Sequence, residues 1–406
     1  MMKTYGHIII GCGAAGLSLA YHLSNAGFPG GSILLIDRED KIANNHAWGY
    51  WSKSPLPFDA IAKRSFKKIG TNIPGQQTVF DLKNYQYHVL HRSDFEAFVK
   101  NHLTQFKEVN WLTAEIENII EEKDHAIVQT SDGNFQSEYV FSSLYSEQEI
   151  VERSRLFIRQ HIRSWVIQTS QSSFKPDAMM LLDFNTPQHN QMRYMSVIPE
   201  SENRATIKFN VFSEKPLEKD EYDLGLKNYI HDSLYIEDYT IEAQEWGIIP
   251  MTDHYFATRQ GNRIIKIGIA GGCTKASSGY SFKRIQRHTI QLVQLLKDGW
   301  PPYADANSGP RFRLYDQILL NVMIRNAGAG AKIFSDLFSK NGPEKIFKFL
   351  DEDTLLTEDI GIISSIQSFP FLRSLVTLAG SEVNPLLMVK NARIKENKQN
   401  STDNLD

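Results

Sequence analysis

HIIIGCGAAG, residues 7–16, decides the fold of this chain. The apolar run before the glycines predicts a short strand, and the helical pattern of residues 14–26 ends at Gly27, a residue type that commonly follows a helix. Residues 32–37 then form a second apolar run. A strand, a glycine turn, a helix and a strand at this spacing predict a βαβ unit.

The glycine turn of this unit predicts a dinucleotide site. Glycines permit the tight turn and let the backbone approach a pyrophosphate, while the helix N-terminus presents the positive end of its dipole. A carboxylate about twenty residues later can accept hydrogen bonds from ribose hydroxyls. A structural turn without a ligand is the alternative. The predicted cofactor-binding residues are Gly11, Gly13, Ala14, Ala15, Gly16 and Asp37.

A second glycine turn, IGIAGG at residues 267–272, lies late in the chain. It ends an apolar strand pattern over 264–270 and precedes an amphipathic helix pattern over about 280–296. Two-domain flavoproteins place such a turn against the ribityl-pyrophosphate and the flavin ring, so Gly271 and Gly272 favour FAD over NAD. An ordinary strand-to-helix turn has the same pattern. The nucleotide-binding part is therefore predicted to be discontinuous in sequence.

Composition limits the function classes. The chain has 406 residues, 41% of them hydrophobic, which is enough for a large core and two connected domains. Lys plus Arg (44) nearly balance Asp plus Glu (47), which argues against a nucleic-acid partner. Cys12 and Cys273 lie in glycine-rich turns, which favours backbone packing over a disulfide and a reducing, cytoplasmic compartment. Without a long apolar run or a signal-peptide pattern, the chain is predicted neither to span a membrane nor to be secreted.

The remaining segments carry patterns of three kinds. Residues 43–57 contain Pro, Asn and aromatics without periodicity and are predicted to form a loop. Strand-type alternation over about 163–212 predicts a separate sheet, and two strands around the turn 131–134 are predicted to join the nucleotide-binding part. Helices are predicted over 93–106 with a Ser93 N-cap, over 218–234 and over 311–378, and residues 390–406 are predicted to be a disordered tail.

An aromatic segment, NNHAWGYW at residues 44–51, follows the second strand. There it could cover the flavin or line an apolar substrate tunnel, and packing in a surface loop is the alternative. His46 receives no specific role, since a single histidine is more often structural. The residues predicted to line the tunnel are Trp48, Tyr50, Trp51 and Tyr280.

Two acidic residues stand in apolar strand patterns, Asp183 in LLDF and Glu245 before WGIIP. A carboxyl group in a low-dielectric setting keeps its proton to higher pH and can act as a general acid. Structural pairing is the alternative for both. No HExxH motif, CxxC pair or Gly-x-Ser-x-Gly motif is present, which argues against a metal site or a serine hydrolase.

Together these motifs resemble those of the lycopene cyclase family, over nearly the whole chain up to about Leu378. The matching segments are GCGAAG at 11–16, NHAWGYW at 45–51, LDF at 182–184, EWGIIPMT at 245–252, AGGCTKASSGYSF at 270–282 and FLDEDT at 349–354. The resemblance implies an α/β fold with a glutathione-reductase-like Rossmann FAD-binding domain, a β-sheet substrate domain and a membrane-facing C-terminal helical region. The predicted division is FAD-binding domain 1–160 and 250–300, sheet domain 161–249, helical cap 301–389 and tail 390–406.

The resemblance also implies a reaction without net oxidation. An acid protonates the terminal double bond of a linear carotenoid such as lycopene, the neighbouring alkene attacks the cation, and loss of a proton leaves a β-ionone ring. Reduced FAD, with NADPH or another reductant as its source, would stabilise the cation electrostatically, and the aromatic segment could add cation–π contacts. Such an isomerase takes an apolar substrate, so peripheral association with the cytoplasmic face of the inner membrane is expected.

One position departs from the family pattern. The family carries a glutamate needed for activity in a strand that aligns without gaps with residues 204–213, and here that position is Lys208. An ammonium there reverses the charge beside the cation, which opposes the usual mechanism unless Asp183 or Glu245 takes over. Two alternatives follow: a divergent member that acts on another polyene or as a flavin-dependent monooxygenase or oxidoreductase, and a catalytically silent FAD protein that binds a carotenoid or a pathway enzyme.

Overall fold

The computed structural model describes residues 2–38, 46–73 and 76–366, which form three sheets and flanking helices. The strands are β1 (Lys3–Ile10), β2 (Ile33–Asp37), β3 (Ala47–Ser52), β4 (Arg64–Phe66), β5 (Lys68–Ile73), β6 (Gln76–Asp81), β7 (Gln86–His91), β8 (Val109–Thr113), β9 (Ile116–Glu121), β10 (Ala126–Thr130), β11 (Gly133–Ser142), β12 (Phe157–Thr169), β13 (Ala178–Asp183), β14 (Met192–Pro199), β15 (Arg204–Ser213), β16 (Tyr239–Thr252), β17 (Arg259–Gln260) and β18 (Ile264–Lys266). The helices are α1 (Ala14–Asn25), α2 (Arg92–Leu103), α3 (Glu147–Arg153), α4 (Lys219–Asp232), α5 (Phe282–Lys297), α6 (Pro310–Arg325), α7 (Gly328–Asn341), α8 (Pro343–Leu350) and α9 (Leu356–Ser364).

The first sheet contains the predicted βαβ unit. Its strands lie in the order β17-β18-β11-β1-β2-β8, and β1 pairs in parallel with β2 and β11. Ile8, Ile9 and Ile10 are buried, as expected for a strand covered on both faces. β10 and β11 form the hairpin predicted around residues 131–134, and β11 joins this sheet. The prediction of an α/β fold with a Rossmann domain is confirmed.

The second sheet has the order β16-β12-β15-β14-β13-β5-β6. Its central strands are antiparallel and cover most of the region predicted to alternate. Helix α4 packs on one face, where Tyr222 and Leu226 contact Trp165 and Phe209. β5 and β6 come from residues 68–81, a segment that the predicted division places with residues 1–160. Periodicity reveals that a segment is a strand but not which distant strand it joins, and β5 joins β13.

The third sheet corrects the predicted loop at residues 43–57. β3 crosses the aromatic segment and pairs with β7, from Ala47 opposite His91 to Ser52 opposite Gln86. The loop prediction was therefore wrong for Ala47–Ser52, because aromatic side chains on both faces conceal the alternation of a strand buried on both sides. Residues 43–45 lie outside the described residues.

The boundaries of one helix and one strand also differ from the prediction. Helix α2 begins at Arg92 with His91 as its N-cap, so Ser93 lies inside the helix. The strand predicted over 264–270 ends at Lys266 and is followed by a short 3-10 turn, Gly268–Gly271. The C-terminal region is helical through α6 to α9, as predicted, up to the end of the described residues; 367–378 and the predicted tail lie outside them.

Candidate active site

The first glycine turn is crowded at Gly11 and Gly16 and open at Gly13. Gly11 has φ +89°, and a Cβ there would lie 2.1 Å from Ser143 Oγ. A Cβ on Gly16 would lie 2.0 Å from the Gly11 carbonyl oxygen, so α1 and β1 need glycine for their close approach. A Cβ on Gly13, by contrast, would meet no described atom within 4 Å. Gly13 is the N-cap of α1 and offers no side-chain acceptor, so the first N–H groups of the helix are available to an anion.

Asp37 is held beside this turn at the end of β2. Its Oδ2 atom accepts a 2.7 Å hydrogen bond from the Cys12 backbone N–H, and Oδ1 accepts a 2.9 Å bond from the Arg38 backbone N–H. The carboxylate is therefore fixed next to the N-terminus of α1, and its role in ribose recognition stays a prediction.

The second glycine turn lies against the first. Gly268 has φ +64° and its Cα faces the start of α1, where an added Cβ would lie 3.0 Å from Ala15 Cβ. Gly272, with φ +81°, leads into a loop in which Thr274 Oγ1 and Ser278 Oγ are buried without a hydrogen-bond partner in the described parts of the chain. Buried hydroxyl groups are normally paired. These two groups and the open side of Gly13 fit the polar groups of a dinucleotide such as FAD.

The second sheet presents a row of polar residues on the face opposite α4. Lys208 on β15 and Glu245 on β16 are both register partners of Ser164 on β12, so the three side chains lie side by side on one face. We call Ser164, Lys208 and Glu245 the central row. The Lys208 Nζ atom lies 3.5 Å from the Ala47 carbonyl oxygen, which places the row beside the first residue of β3.

Two members of the central row are buried and the third, Lys208, is half-buried. Glu245 is 7% exposed and Ser164 is 2% exposed, and neither side chain has a hydrogen bond or an ion pair within the described residues. Burial raises the pKa of the Glu245 carboxyl, although the nearby Lys208 and Lys63 ammonium groups oppose the rise. Burial lowers the pKa of the half-buried Lys208, and Glu245 opposes that fall. These pKa shifts favour the neutral forms, a carboxylic acid at Glu245 and an amine at Lys208.

Asp183, the other predicted acid, lies in a different environment. It accepts hydrogen bonds from Asn72 Nδ2 (3.0 Å), the Asn185 backbone N–H (2.9 Å) and Tyr229 Oη (2.7 Å). Tyr229 belongs to α4, so Asp183 points to the opposite face of the sheet from Glu245, and three strands separate the two in sheet order. The structure does not bring the two predicted acids together, and the three bonds match the structural alternative for Asp183.

The aromatic residues predicted to line a tunnel divide between the two faces of β3. Trp48 stacks on Phe282 at 5.3 Å between ring centroids, and Tyr50 donates a 2.8 Å hydrogen bond to Asp59. Both pack in the core beneath α1, α2 and α5. Because successive strand residues point to opposite faces, Trp51 lies on the other side.

Trp51 and Tyr280 form the second aromatic group. Trp51 stacks on Phe347 of α8 at 4.5 Å, and Tyr280 meets its edge at 4.6 Å. The Tyr280 hydroxyl is 3.2 Å from that of Tyr87, and Gly279 approaches Gln160 on the central-row face so closely that a Cβ would lie 2.4 Å from its Oε1 atom. Trp51 and Tyr280 therefore lie beside this face, whereas Trp48 and Tyr50 support β3 from behind.

A buried network of ion pairs was not predicted from the sequence. Lys275, in the loop after the second glycine turn, is 2% exposed and pairs with Asp316 (3.0 Å) and Glu352 (2.9 Å). Glu352 also pairs with Arg284 of α5 at 2.8 Å. Burial by itself raises the pKa of Glu352, but the two cations outweigh it and hold the pKa at about 2. The network fastens the C-terminal helices to the glycine loop.

Other members of the site were also missed because their partners are distant in sequence. Gln160 donates to Asn210 Oδ1 (3.2 Å) and to Tyr194 Oη (3.4 Å), which forms a second polar group on the central-row face. Ser164 carries no local signal. Only the register of three antiparallel strands places it between Lys208 and Glu245.

The fold is that of a Rossmann-type dinucleotide-binding protein, in which a second, largely antiparallel sheet accompanies the sheet of the two glycine turns. A model of the family described as lycopene cyclase protein matches residues 7–376. The chain belongs to this family. No curated protein matches it.

Solved structures share the fold at low identity. A geranylgeranyl bacteriochlorophyll reductase-like protein from Thermoplasma acidophilum aligns with a TM-score of 0.57 at 14% identity, over 96% of this chain and 100% of that one. Halogenase PltM in complex with phloroglucinol and FAD gives 0.56 at 13%, over 93% and 86%. The flavin-dependent brominase Bmp2 gives 0.53 at 14%, over 98% and 100%. These likenesses establish the fold class.

Among the described residues, no helix has both the length and the apolar character needed to cross a bilayer. In the same part of the chain, no group of three or more His, Cys, Asp or Glu side chains is arranged to hold a metal ion.

Proposed function

We propose that this protein binds FAD and cyclises the ends of a linear, apolar polyene such as lycopene, as a non-redox isomerase. Family membership supports the reaction class. The observation that carries the proposal for this chain is Glu245, a buried carboxyl group with a raised pKa and no partner among the described residues, on the face beside β3. A carboxylic acid that retains its proton in an apolar site is suited to start carbocation chemistry.

The proposed reaction begins with proton transfer from the Glu245 carboxyl to the terminal double bond. The neighbouring alkene attacks the resulting cation and closes the ring, and loss of a proton leaves the ring double bond. Trp51 and Tyr280, whose rings meet beside this face, are proposed to line the channel and to stabilise the cation through their π faces. Trp48 and Tyr50 hold β3 in place behind them.

The first glycine turn, Asp37 and the loop of Thr274 and Ser278 are proposed to hold FAD. When bound in its reduced form, FAD supplies negative charge near the cationic centre. NADPH or another reductant is the proposed source of that form. The protein's own part is to orient the ring-forming end against Glu245 and to exclude water, which would otherwise capture the cation.

The apolar substrate has to enter from a lipid phase. Leu355, Leu356 and Ile360 are between 54% and 67% exposed at the start of α9, and the last two lie one helical turn apart. Clusters of exposed apolar side chains commonly mark membrane or protein contacts. We propose that they dock on the cytoplasmic face of the inner membrane, so that the polyene reaches the site without crossing water.

The test is expression in a bacterial host that accumulates lycopene, followed by chromatography and absorption spectra of the pigments. Wild-type protein should produce β- or γ-carotene, and Glu245→Gln should leave lycopene unchanged. Glu242→Gln is the matched control, since Glu242 lies on the same strand with its side chain 40% exposed. Unchanged lycopene with wild-type protein, at confirmed expression and FAD content, would overturn the cyclase proposal.

A flavin redox reaction, as a monooxygenase or another oxidoreductase, is the second candidate, and Lys208 favours it. An ammonium beside a carbocation is unfavourable by Coulomb's law, whereas a cation beside a reduced flavin or an oxygenated substrate is favourable. The test is anaerobic reduction of the purified holoprotein with NADPH, followed by air and analysis of polyene products for added oxygen. Polyene-dependent NADPH consumption with an oxygenated product would replace the cyclase proposal.

A further inference from the structure

Lys208 and Glu245 are neighbours that do not neutralise each other. Both are register partners of Ser164, and adjacent strands lie about 4.8 Å apart, so their backbones are about 10 Å apart across the sheet. No ion pair within 4 Å joins the two side chains in the described structure. A salt bridge would hold both groups in their charged forms and close the gap over Ser164.

The surroundings of Lys208 also lack a carboxylate partner. Its amine has one polar contact among the described residues, the 3.5 Å approach to the Ala47 carbonyl oxygen. Burial lowers the pKa of this amine. A desolvated lysine that is uncharged is a base, a role that buried lysines take in other enzymes.

We propose that Lys208 is the catalytic base of the reaction, which accepts the proton lost by the ring cation, while Glu245 donates the proton that starts ring closure. This inference rests on the proposed cyclisation. The proton leaves the Glu245 carboxyl, a C–H bond and then the ring C–C bond form, and a ring C–H bond breaks to give the double bond and a Lys208 ammonium group. Transfer of that proton to the Glu245 carboxylate restores both groups, with no net redox change.

Ser164 is placed to carry the proton on its return. Ser164 is the register partner of both residues and is 2% exposed, and its side chain makes no hydrogen bond with another described residue. A hydroxyl donates and accepts at once, so it can pass a proton from the ammonium to the carboxylate.

The experiment compares Lys208 variants in purified, FAD-loaded protein with the linear polyene in detergent micelles. Lys208→Arg keeps a long basic side chain but cannot lose its proton. It should lower kcat by about 10²- to 10⁴-fold, the range expected for a lost general base, with KM little changed. Lys208→Ala should be equally slow and should recover when ethylamine is added, because a free amine can enter the vacated space. Lys68→Arg is the matched control, since this lysine lies on the same sheet with its ammonium in solvent.

The products distinguish a base from a residue that merely supports the fold. Without Lys208, the ring cation should lose its proton elsewhere or capture water, which gives an isomeric ring or a cyclic alcohol. Unchanged rate and product in Lys208→Arg would overturn the inference while leaving the cyclase proposal intact. Absence of any cyclic product from wild-type protein would overturn both. Recovery with ethylamine together with a changed product in Lys208→Ala would support Lys208 as the base.

Discussion

The charged groups that the two faces of the second sheet bury differ in their pairing. On the face covered by α4, Asp183 accepts three hydrogen bonds and Arg163 pairs with Asp223 at 2.8 Å. On the other face, the central row has no salt bridge and only one long hydrogen bond within the described chain. Pairing stabilises a buried charge, whereas its absence shifts the protonation state and leaves the group able to react. The comparison indicates which buried charges maintain structure and which are available for chemistry.

The largest expected effect is the loss of turnover on replacing Glu245, on the central-row face. Glu245→Gln keeps the shape but removes the acidic proton, so kcat should fall by about 10²- to 10⁴-fold, equivalent to about 3–5 kcal/mol. The free energy of unfolding should change little, because no bond within the described structure is lost. Kinetics and urea unfolding on the same preparation test both statements. A large loss of stability with normal turnover would reverse the assignment of the two faces.

Asp183 should show the opposite behaviour. Asp183→Ala leaves the Asn72, Asn185 and Tyr229 donors without their acceptor, and the expected destabilisation is about 2–4 kcal/mol. Turnover per folded molecule should persist, since Asp183 faces α4. The urea midpoint measures the first effect, and activity normalised to bound FAD measures the second. Loss of activity in a fully stable variant would assign Asp183 to the reaction.

The stability that Glu352 contributes should depend on pH. Its pKa is held at about 2, below the usual value of 4.5, chiefly by Lys275 and Arg284 against the opposing effect of burial. A folded-state pKa below the unfolded value gives stability that is fully present above pH 4.5 and is lost as pH falls towards 2. The contribution is at most about 3 kcal/mol. Unfolding free energies of wild type and Glu352→Gln should differ at pH 7 and converge near pH 2; a constant difference would contradict the prediction.

Gly13 and Gly16, in the first glycine turn, differ in the space beside them. A Cβ at Gly13 meets open space, whereas one at Gly16 would lie 2.0 Å from the Gly11 carbonyl oxygen. Gly13→Ala should therefore fold normally but weaken FAD binding by about tenfold or more, or about 1.4 kcal/mol, because the methyl group occupies the side open to the pyrophosphate. Gly16→Ala should fail to fold. Flavin fluorescence titration and circular dichroism separate the outcomes, and normal FAD affinity in Gly13→Ala would place the ligand elsewhere.

Local sequence patterns were sufficient to predict part of this fold. The βαβ unit around Gly11–Gly16 depends on glycine conformation and apolar periodicity, both of which are visible in neighbouring residues. The central row depends on the register of β12, β15 and β16, and no local pattern specifies Ser164 as the residue between Lys208 and Glu245. The aromatic strand β3 was missed because both of its faces are buried. Asp183 and Glu245 were both predicted as acids because each lies in an apolar strand pattern. Asp183 accepts three hydrogen bonds and Glu245 accepts none among the described residues, and only this difference distinguishes them.

The smallest effect on stability is expected at α9. Leu355, Leu356 and Ile360 are more than half exposed, so replacing them together with serine should change the unfolding free energy by less than about 0.5 kcal/mol per site. Binding to vesicles of phosphatidylethanolamine and phosphatidylglycerol should nevertheless fall, because burial of apolar side chains in the bilayer drives it. Leu224→Ser is the control, since Leu224 is 57% exposed on α4. If sedimentation with vesicles were unchanged in the triple variant and lost in the control, the membrane contact would lie on the α4 side, and the polyene would have to reach the central row past the paired face.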